Sequence, residues 1–341
     1  MGESGSIEVC LERALERRAE LIRTLAADGT DCYRLLHGTV EGAPGVTLDR
    51  YGDVALLQSF HRRLDGAEVD AVARVAGERF SGLSFFYNDR SARGSRVLNR
   101  LPEGQQALAE ADRTVREGGV RFRIRVRHRG NDPWLFLDLR PVRRAVAGES
   151  AGKTVLNLFA YTCGVGVAAA VGGARRVVNV DFAKSSLAVG TVNAELNGVA
   201  DRTTELVSDV FPALRQLAGI RQPPVARGRR LPPFVHVDRE RFDVVVLDPP
   251  PLAKSPFGVV DLRRDYQSLL KPALGAVAAG GVLYCTNNVA AVDEGEWHDG
   301  LRRCAAKHGP GLTGLDVVRP GEDFPSPDGR PPLKVARLEL A

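Results

Sequence analysis

From Pro133 to its end this chain alternates short apolar or β-branched runs with stretches of helical character, and that alternation narrows the possible folds more than any other feature. The runs TVLNLFA (154–160), RVVNVD (176–181), TTELVSD (203–209), FDVVVLD (242–248), GVLYCTN (281–287) and the terminal VARLEL read as strands, with helices between the earlier ones. Strands fed alternately by helices form a parallel, doubly wound sheet covered on both faces. The expected fold class is therefore α/β, with a Rossmann-like sheet in a domain spanning 131–341. Residues 221–241, rich in Pro and Arg, read as a surface loop.

The first third has a different texture. Residues 8–27 place Val9, Leu11, Leu15, Leu21 and Leu25 among charges at helical spacing and stop at Asp28-Gly29, which predicts one leading helix in a segment 1–30. Short runs broken by Gly38, Gly42, Pro44-Gly45 and Tyr51-Gly52-Asp53 predict strands joined by turns, and 65–80 predicts a helix. A smaller α/β domain over 31–130 follows. A chain of 341 residues, 44% hydrophobic, is long enough for two cores.

No apolar run approaches the length of a signal-peptide core or a bilayer span, so a cytoplasmic protein without a membrane partner is expected. The five cysteines are scattered with no CxxC pair, and the six histidines show no ligand spacing, so neither disulfide nor metal is expected. The net charge of +5 is mostly arginine, whose planar fork suits phosphate, although a GC-rich coding bias enriches arginine as well. Arg121, Arg123, Arg125, Arg127 and Arg129 alternate with other residues, and in a strand they share one face. That face is either solvated or turned toward a phosphate-bearing substrate.

Chemistry concentrates at the strand ends. The strand over 155–159 runs into Ala160-Tyr161-Thr162-Cys163-Gly164-Val165-Gly166, a turn of mostly small residues between strand and helix, where a ligand can approach the backbone. Asp181 closes the next strand, where a carboxylate can accept from both hydroxyls of a ribose, and Asp209 closes the third. A nicotinamide dehydrogenase would share these features. The fourth strand, however, ends in Asp248-Pro249-Pro250-Pro251, and prolines there leave carbonyls without competing N–H groups beside a carboxylate, a polar rim suited to a planar acceptor.

At these residues the chain resembles the large-subunit ribosomal RNA methyltransferase family, class I S-adenosylmethionine (SAM) enzymes that include guanine-N7 and cytosine-C5 modifiers. The resemblance is carried by YRLLHGTVEGAPGVTLDRYGD (33–53), FLDLRPVRR (136–144), the strand and turn from Val155 to Asp181, NAELNG (193–198), VVLDPPPLAKS (245–255) and GGVLYCTNN (280–288). It implies a class I methyltransferase sheet using SAM, an RNA-binding transferase of rRNA processing whose partner is ribosomal RNA. It further implies that Asn157, Ala160, Thr162 and Gly164 surround the methionine part, that Asp181 and Phe182 hold ribose and adenine, that Asp209 and Val210 border adenine, and that Asp138 and Arg140 close on the methionyl carboxylate. Asp248, Pro249 and Asn288 would serve the acceptor base, with Asp248 also bordering the cofactor.

Three departures matter. The fifth strand ends in Asn287-Asn288, as in the guanine-N7 branch, rather than in the cysteine motif of the cytosine enzymes. Leu252 stands where an aromatic often follows the double proline. Only the leading helix precedes Tyr33, so the RNA-binding PUA module that opens many members is not expected. Guanine N7 of ribosomal RNA is the favoured acceptor; the alternatives are a cytosine-C5 enzyme using Cys285, a small-molecule or protein methyltransferase, and a non-catalytic binding protein.

Overall fold

The computed structural model describes residues 6–92, 94, 101, 103–127, 132–226, 229–309 and 311–341. They fall into two compact units, one of Met1–Arg140 with Gly321–Gly329, the other of Pro141–Pro320 with Arg330–Ala341. No helix among the described residues is long and apolar enough to cross a membrane.

In the first unit, β1 (Cys32–His37), β2 (Val46–Tyr51), β3 (Val54–Ser59) and β4 (Ser84–Asp89) form one sheet in that order, antiparallel except for the parallel pair β3–β4. The helix Gly66–Arg79 supplies the crossover that a parallel pair requires, and it starts where Asp65 and Glu68 form a reciprocal capping box. Leu35, Leu48, Leu57 and Val72 pack with Leu11 and Leu15 in a single core. The leading helix expected over 8–27 is two helices, Ile7–Arg17 and Ala19–Ala27. The break falls at Arg18, whose buried guanidinium pairs with Glu41. A ribbon of β5 (Asp112–Glu117) and β6 (Val120–Arg125) completes the unit.

The arginine run is shorter as a strand than the alternation predicts, since β6 ends at Arg125. Arg123 and Arg125 both pair with Asp112 across the ribbon and lie over the Trp134 ring, Arg125 at 5.0 Å from its centroid. Arg127 is buried, and Arg129 lies outside the described residues.

The second unit contains β7 (Thr154–Leu158), β8 (Arg176–Asp181), β9 (Thr203–Val207), the short hairpin β10 (Val225–Ala226) and β11 (Arg229–Arg230), β12 (Phe242–Leu247), the hairpin β13 (Leu252–Ser255) and β14 (Gly258–Asp261), β15 (Val277–Asn287), β16 (Leu312–Val317) and β17 (Lys334–Leu340). Its seven-stranded sheet has the order β16-β17-β15-β12-β7-β8-β9. The five strands from β15 to β9 are parallel; β17 and β16 join antiparallel at the edge. All six expected strands are present. β16, half-exposed and interrupted by Gly314, gives no such signal in the sequence. Leu156, Leu158, Val245, Leu283 and Leu338 face helices Val210–Leu217, Gln267–Gly275 and Glu294–His308 in one apolar cluster.

Candidate active site

From β7 the chain steps outward to β8 and β9, then returns to the other side of β7 as β12 and continues to β15. At that reversal the connections leave in opposite directions, so a crevice opens outside the carboxyl ends of β7 and β12. The site residues expected after Asn157 and around Asp248 therefore converge by topology.

The turn that leaves β7 is strained. Phe159, Tyr161 and Cys163 all hold left-handed backbone, with φ of 58°, 49° and 60°. For residues with a Cβ this costs roughly 1–2 kcal/mol each, and it persists only where the surroundings over-determine it. Here they do. Ala160 N–H donates to the Val180 carbonyl and Cys163 N–H to the Ala160 carbonyl. Tyr161 N–H donates to Asp181 Oδ2 at 2.9 Å, and the Asn193 amide donates to the Thr162 carbonyl at 3.0 Å. The Cys163 side chain rests on Gly190, where any Cβ would overlap its Sγ. Beneath the turn, Asn157 donates to Asn179 Oδ1 at 2.9 Å, and Asn179 in turn fills space that Gly166 leaves open by lacking a Cβ. Asn193, Asn179 and Gly190 thus support the site although a reading of strand ends does not single them out; the signal for Asn193 is its place in NAELNG.

Asp181 lies at the end of β8 and accepts from Tyr161 N–H and, through Oδ1, from Ala183 N–H at 2.8 Å. A carboxylate offers about four lone-pair directions, so two remain for a ligand. Next to it opens a cleft of about 450 Å³ lined by Phe182, Val207, Ser208, Asp209, Phe234 and Phe257, among others. Phe182 is 75% exposed and Val207 40%. Exposed apolar side chains gathered in a concavity form a binding surface for a flat, partly apolar group. Asp209 caps the helix Val210–Leu217 by accepting from Phe211 N–H at 2.9 Å, while the Val210 side chain belongs to the core and offers a ligand only its backbone.

The stretch 233–235, part of the expected surface loop, forms one wall of this cleft. Gln216 pins it, donating to the Val235 carbonyl at 3.0 Å and accepting from Val237 N–H at 3.3 Å. The Phe234 and Phe257 rings meet edge to face at 5.9 Å. Its signal in the sequence is the apolar Phe234-Val235 pair within a polar, Pro-rich stretch.

Across the switch point, the Thr286 hydroxyl on β15 donates to Asp248 Oδ1 just beyond β12. Pro249 is buried, and Asn288 is exposed one residue past β15. The Pro251 carbonyl accepts from Leu262 N–H, and the buried Asn287 amide donates to the Leu262 carbonyl at 3.4 Å, which fixes the segment after the prolines. Cys285, on the face of β15 opposite Thr286, lies in the apolar cluster, and burial pushes its thiol up to about 12. Asp138 and Arg140 belong to the first unit. Asp138 is half-buried in the turn Leu137–Leu139, and the buried Arg140 guanidinium pairs with Asp323 and donates to the Cys32 carbonyl at 3.3 Å.

Residues 104–338 match the model of an S-adenosylmethionine-dependent methyltransferase family. The chain is 31% identical over 323 residues to ribosomal RNA large subunit methyltransferase I of Aeromonas hydrophila subsp. hydrophila, covering 92% of this chain and 75% of that one. It is 32% identical over 271 residues to ribosomal RNA large subunit methyltransferase K/L of Pseudomonas paraeruginosa, covering 76% of this chain and 34% of the relative. Among solved structures, SMU.776, described as a methyltransferase and complexed with SAH, superposes with a TM-score of 0.76 at 23% identity over 98% of this chain and 80% of its own.

Proposed function

This chain belongs to the S-adenosylmethionine-dependent methyltransferase family that includes ribosomal RNA large subunit methyltransferase I, and on that premise we propose that it methylates guanine N7 of large-subunit ribosomal RNA. The observation that carries the choice of atom is the state of the cysteines: all five are free and buried. Methylation at cytosine C5 needs a thiolate to add to the ring, and the Cys285 thiol, turned into the core and pushed up to about 12, does not supply one. Guanine N7 has an in-plane lone pair and loses no proton on methylation. Alignment of nucleophile, methyl and leaving sulfur is then the main requirement, and positioning alone supplies several kcal/mol.

The residues fit the cofactor. SAM supplies the methyl group on a sulfonium, already activated toward a neutral nucleophile. In this reading Asp181 accepts from the ribose hydroxyls, Phe182, Val207 and Phe234 enclose adenine beside Asp209 and Val210, and Asn157, Ala160, Thr162 and Gly164 hold the methionine end, whereas the Arg140 guanidinium, expected at the methionyl carboxylate, is committed within the first unit to Asp323 and the Cys32 carbonyl. Asp248, held by Thr286, and Asn288 orient the base by hydrogen bonds, and Pro249 keeps the rim rigid. The domain over 31–130 carries RNA recognition, and 131–341 carries catalysis.

The test is the product. After incubation of the protein with SAM and large-subunit ribosomal RNA, mass spectrometry of the nucleosides is expected to show 7-methylguanosine, with Cys285→Ala keeping most of the turnover. A 5-methylcytidine product lost in Cys285→Ala would overturn the assignment.

A further inference from the structure

On the strand whose alternation best suits phosphate, β6, Arg123 and Arg125 are already engaged within the molecule, because they share Asp112 and lie over Trp134. A different set of arginines is uncommitted. A second cleft in the catalytic unit, of about 440 Å³, lies between the segment Leu262–Tyr266 and the helices Gln267–Gly275 and Glu294–His308. Arg263, Arg264 and Arg303 line it, and none has an ion pair or side-chain hydrogen bond among the described residues. Of the two carboxylates in its wall, Asp299 pairs with Arg302, so the cleft is lined by one carboxylate without an ion pair among the described residues, Glu296, and three such guanidinium groups. Its floor is rigid: Tyr266 and Trp297 are buried and meet edge to face at 5.5 Å.

The cleft is tied to the acceptor rim through the backbone. Leu262 N–H binds the Pro251 carbonyl, and the Leu262 carbonyl accepts from Asn287, so Arg263 begins one residue from atoms bonded to both rim strands. Asp261 fixes the backbone from which the two arginines leave by accepting from Arg263 N–H through its carboxylate and from Arg264 N–H through its carbonyl. Guanidinium groups without partners among the described residues, on a wall tied by backbone hydrogen bonds to the acceptor rim, suit the phosphodiester oxygens of a strand whose base is held at that rim.

We propose that Arg263, Arg264 and Arg303 form a subsite for the RNA backbone next to the methylated nucleotide. This subsite rests on the RNA reading given above, and its test separates the two. Steady-state methylation of large-subunit ribosomal RNA is measured for the wild type, for the triple variant Arg263→Ala, Arg264→Ala, Arg303→Ala, and for Glu296→Gln, alongside calorimetric SAM affinity. The triple variant should raise KM for RNA about tenfold or more and flatten its dependence on log salt by roughly 0.7 for each phosphate no longer neutralised, with SAM binding as in the wild type. Glu296→Gln, which removes the opposing charge, should lower KM, an effect that misfolding does not imitate. Wild-type KM and salt slope in the triple variant would overturn the subsite while leaving the RNA reading intact. A wild-type protein that binds SAM but methylates no RNA would overturn both.

Discussion

The two units treat charge in opposite ways. The catalytic unit packs its sheet with an apolar cluster and leaves ion pairs such as Arg176–Glu240 near the surface, the buried Lys334 being bonded to the Val289 carbonyl. The smaller unit buries Arg18 with Glu41 and Arg140 with Asp323, side chains at most 4% exposed, and sets Arg34 against the buried Asp49. An apolar core loses stability in proportion to what is removed from it, whereas a buried ion pair adds little net stability when complete but leaves an uncompensated charge when one member is removed. The smaller unit should therefore be the more sensitive to a single polar substitution. The chain has two tryptophans, Trp134 in the smaller unit and Trp297 in the catalytic one, so variants with either replaced by Phe report on each unit separately.

The largest expected effect is Asp323→Ala, which strips the buried Arg140 of its partner and should destabilise the smaller unit by about 3–5 kcal/mol. Denaturant titration followed through Trp134 measures it, and adding Arg140→Met should recover a large part. A Trp134 transition unmoved by Asp323→Ala would remove the contrast between the units. Next, Leu156→Ala in the catalytic core should cost about 2–4 kcal/mol, read through Trp297, with no rescue by a second polar change.

Asp181→Ala touches function as well as packing. It removes the acceptor of Tyr161 N–H from a turn already strained at three residues, and it removes the proposed partner of the ribose. SAM affinity should fall by about 1–3 kcal/mol, measured by calorimetry. An unchanged affinity would mean that the turn holds without Asp181 and that the ribose is bound elsewhere.

The last effect is one of pH dependence, absent at neutral pH and expressed only on acidification. Burial, and next the Arg34 guanidinium beside it, push His37 down to about 4. The folded state then binds this proton less readily than the unfolded chain, whose histidine titrates near 6.5. His37 therefore contributes stability that is fully present above about 6.5 and is lost as pH falls from there toward 4. Denaturation midpoints of the smaller unit should fall through that window, and His37→Gln should flatten the decline.

What could be read from the sequence divides along the same line. The six expected strands of the catalytic unit were legible because both faces of its central strands are buried, and strands of that kind appear as near-continuous apolar runs. Asp181 and Asp248 were legible because each ends such a run, and Asp209 because it follows the edge strand β9, whose TTELV is β-branched rather than continuously apolar. The strained backbone at Phe159, Tyr161 and Cys163 was not, since local preference assigns left-handed φ to glycine and only the surrounding bonds hold these residues there. The arginine alternation was legible as a strand but its internal pairing was not, because Asp112 lies across the ribbon and no local pattern couples it to Arg123 and Arg125. The break at Arg18 and the wall at Phe234 likewise depend on distant partners, Glu41 and Phe257.

The segment Gly321–Gly329 bears on how the protein is made. Asp323 takes hydrogen bonds from Arg18, Arg34 and Arg140, residues that precede it by 305, 289 and 183 positions. These are contacts of very high sequence separation in a unit whose other parts come from the first 140 residues. At synthesis rates of roughly 5–20 residues per second, Arg140 is translated roughly 10–40 s before Asp323. During that interval the nascent smaller unit holds the Arg140 guanidinium without its carboxylate, and the Arg34 backbone N–H and one Arg18 N–H without their acceptors on Asp323, so its final packing must follow translation of the C-terminal region. A fragment ending at Arg140 would be arrested at that stage, and supplying the segment 321–329 as a separate peptide would be the direct way to release it.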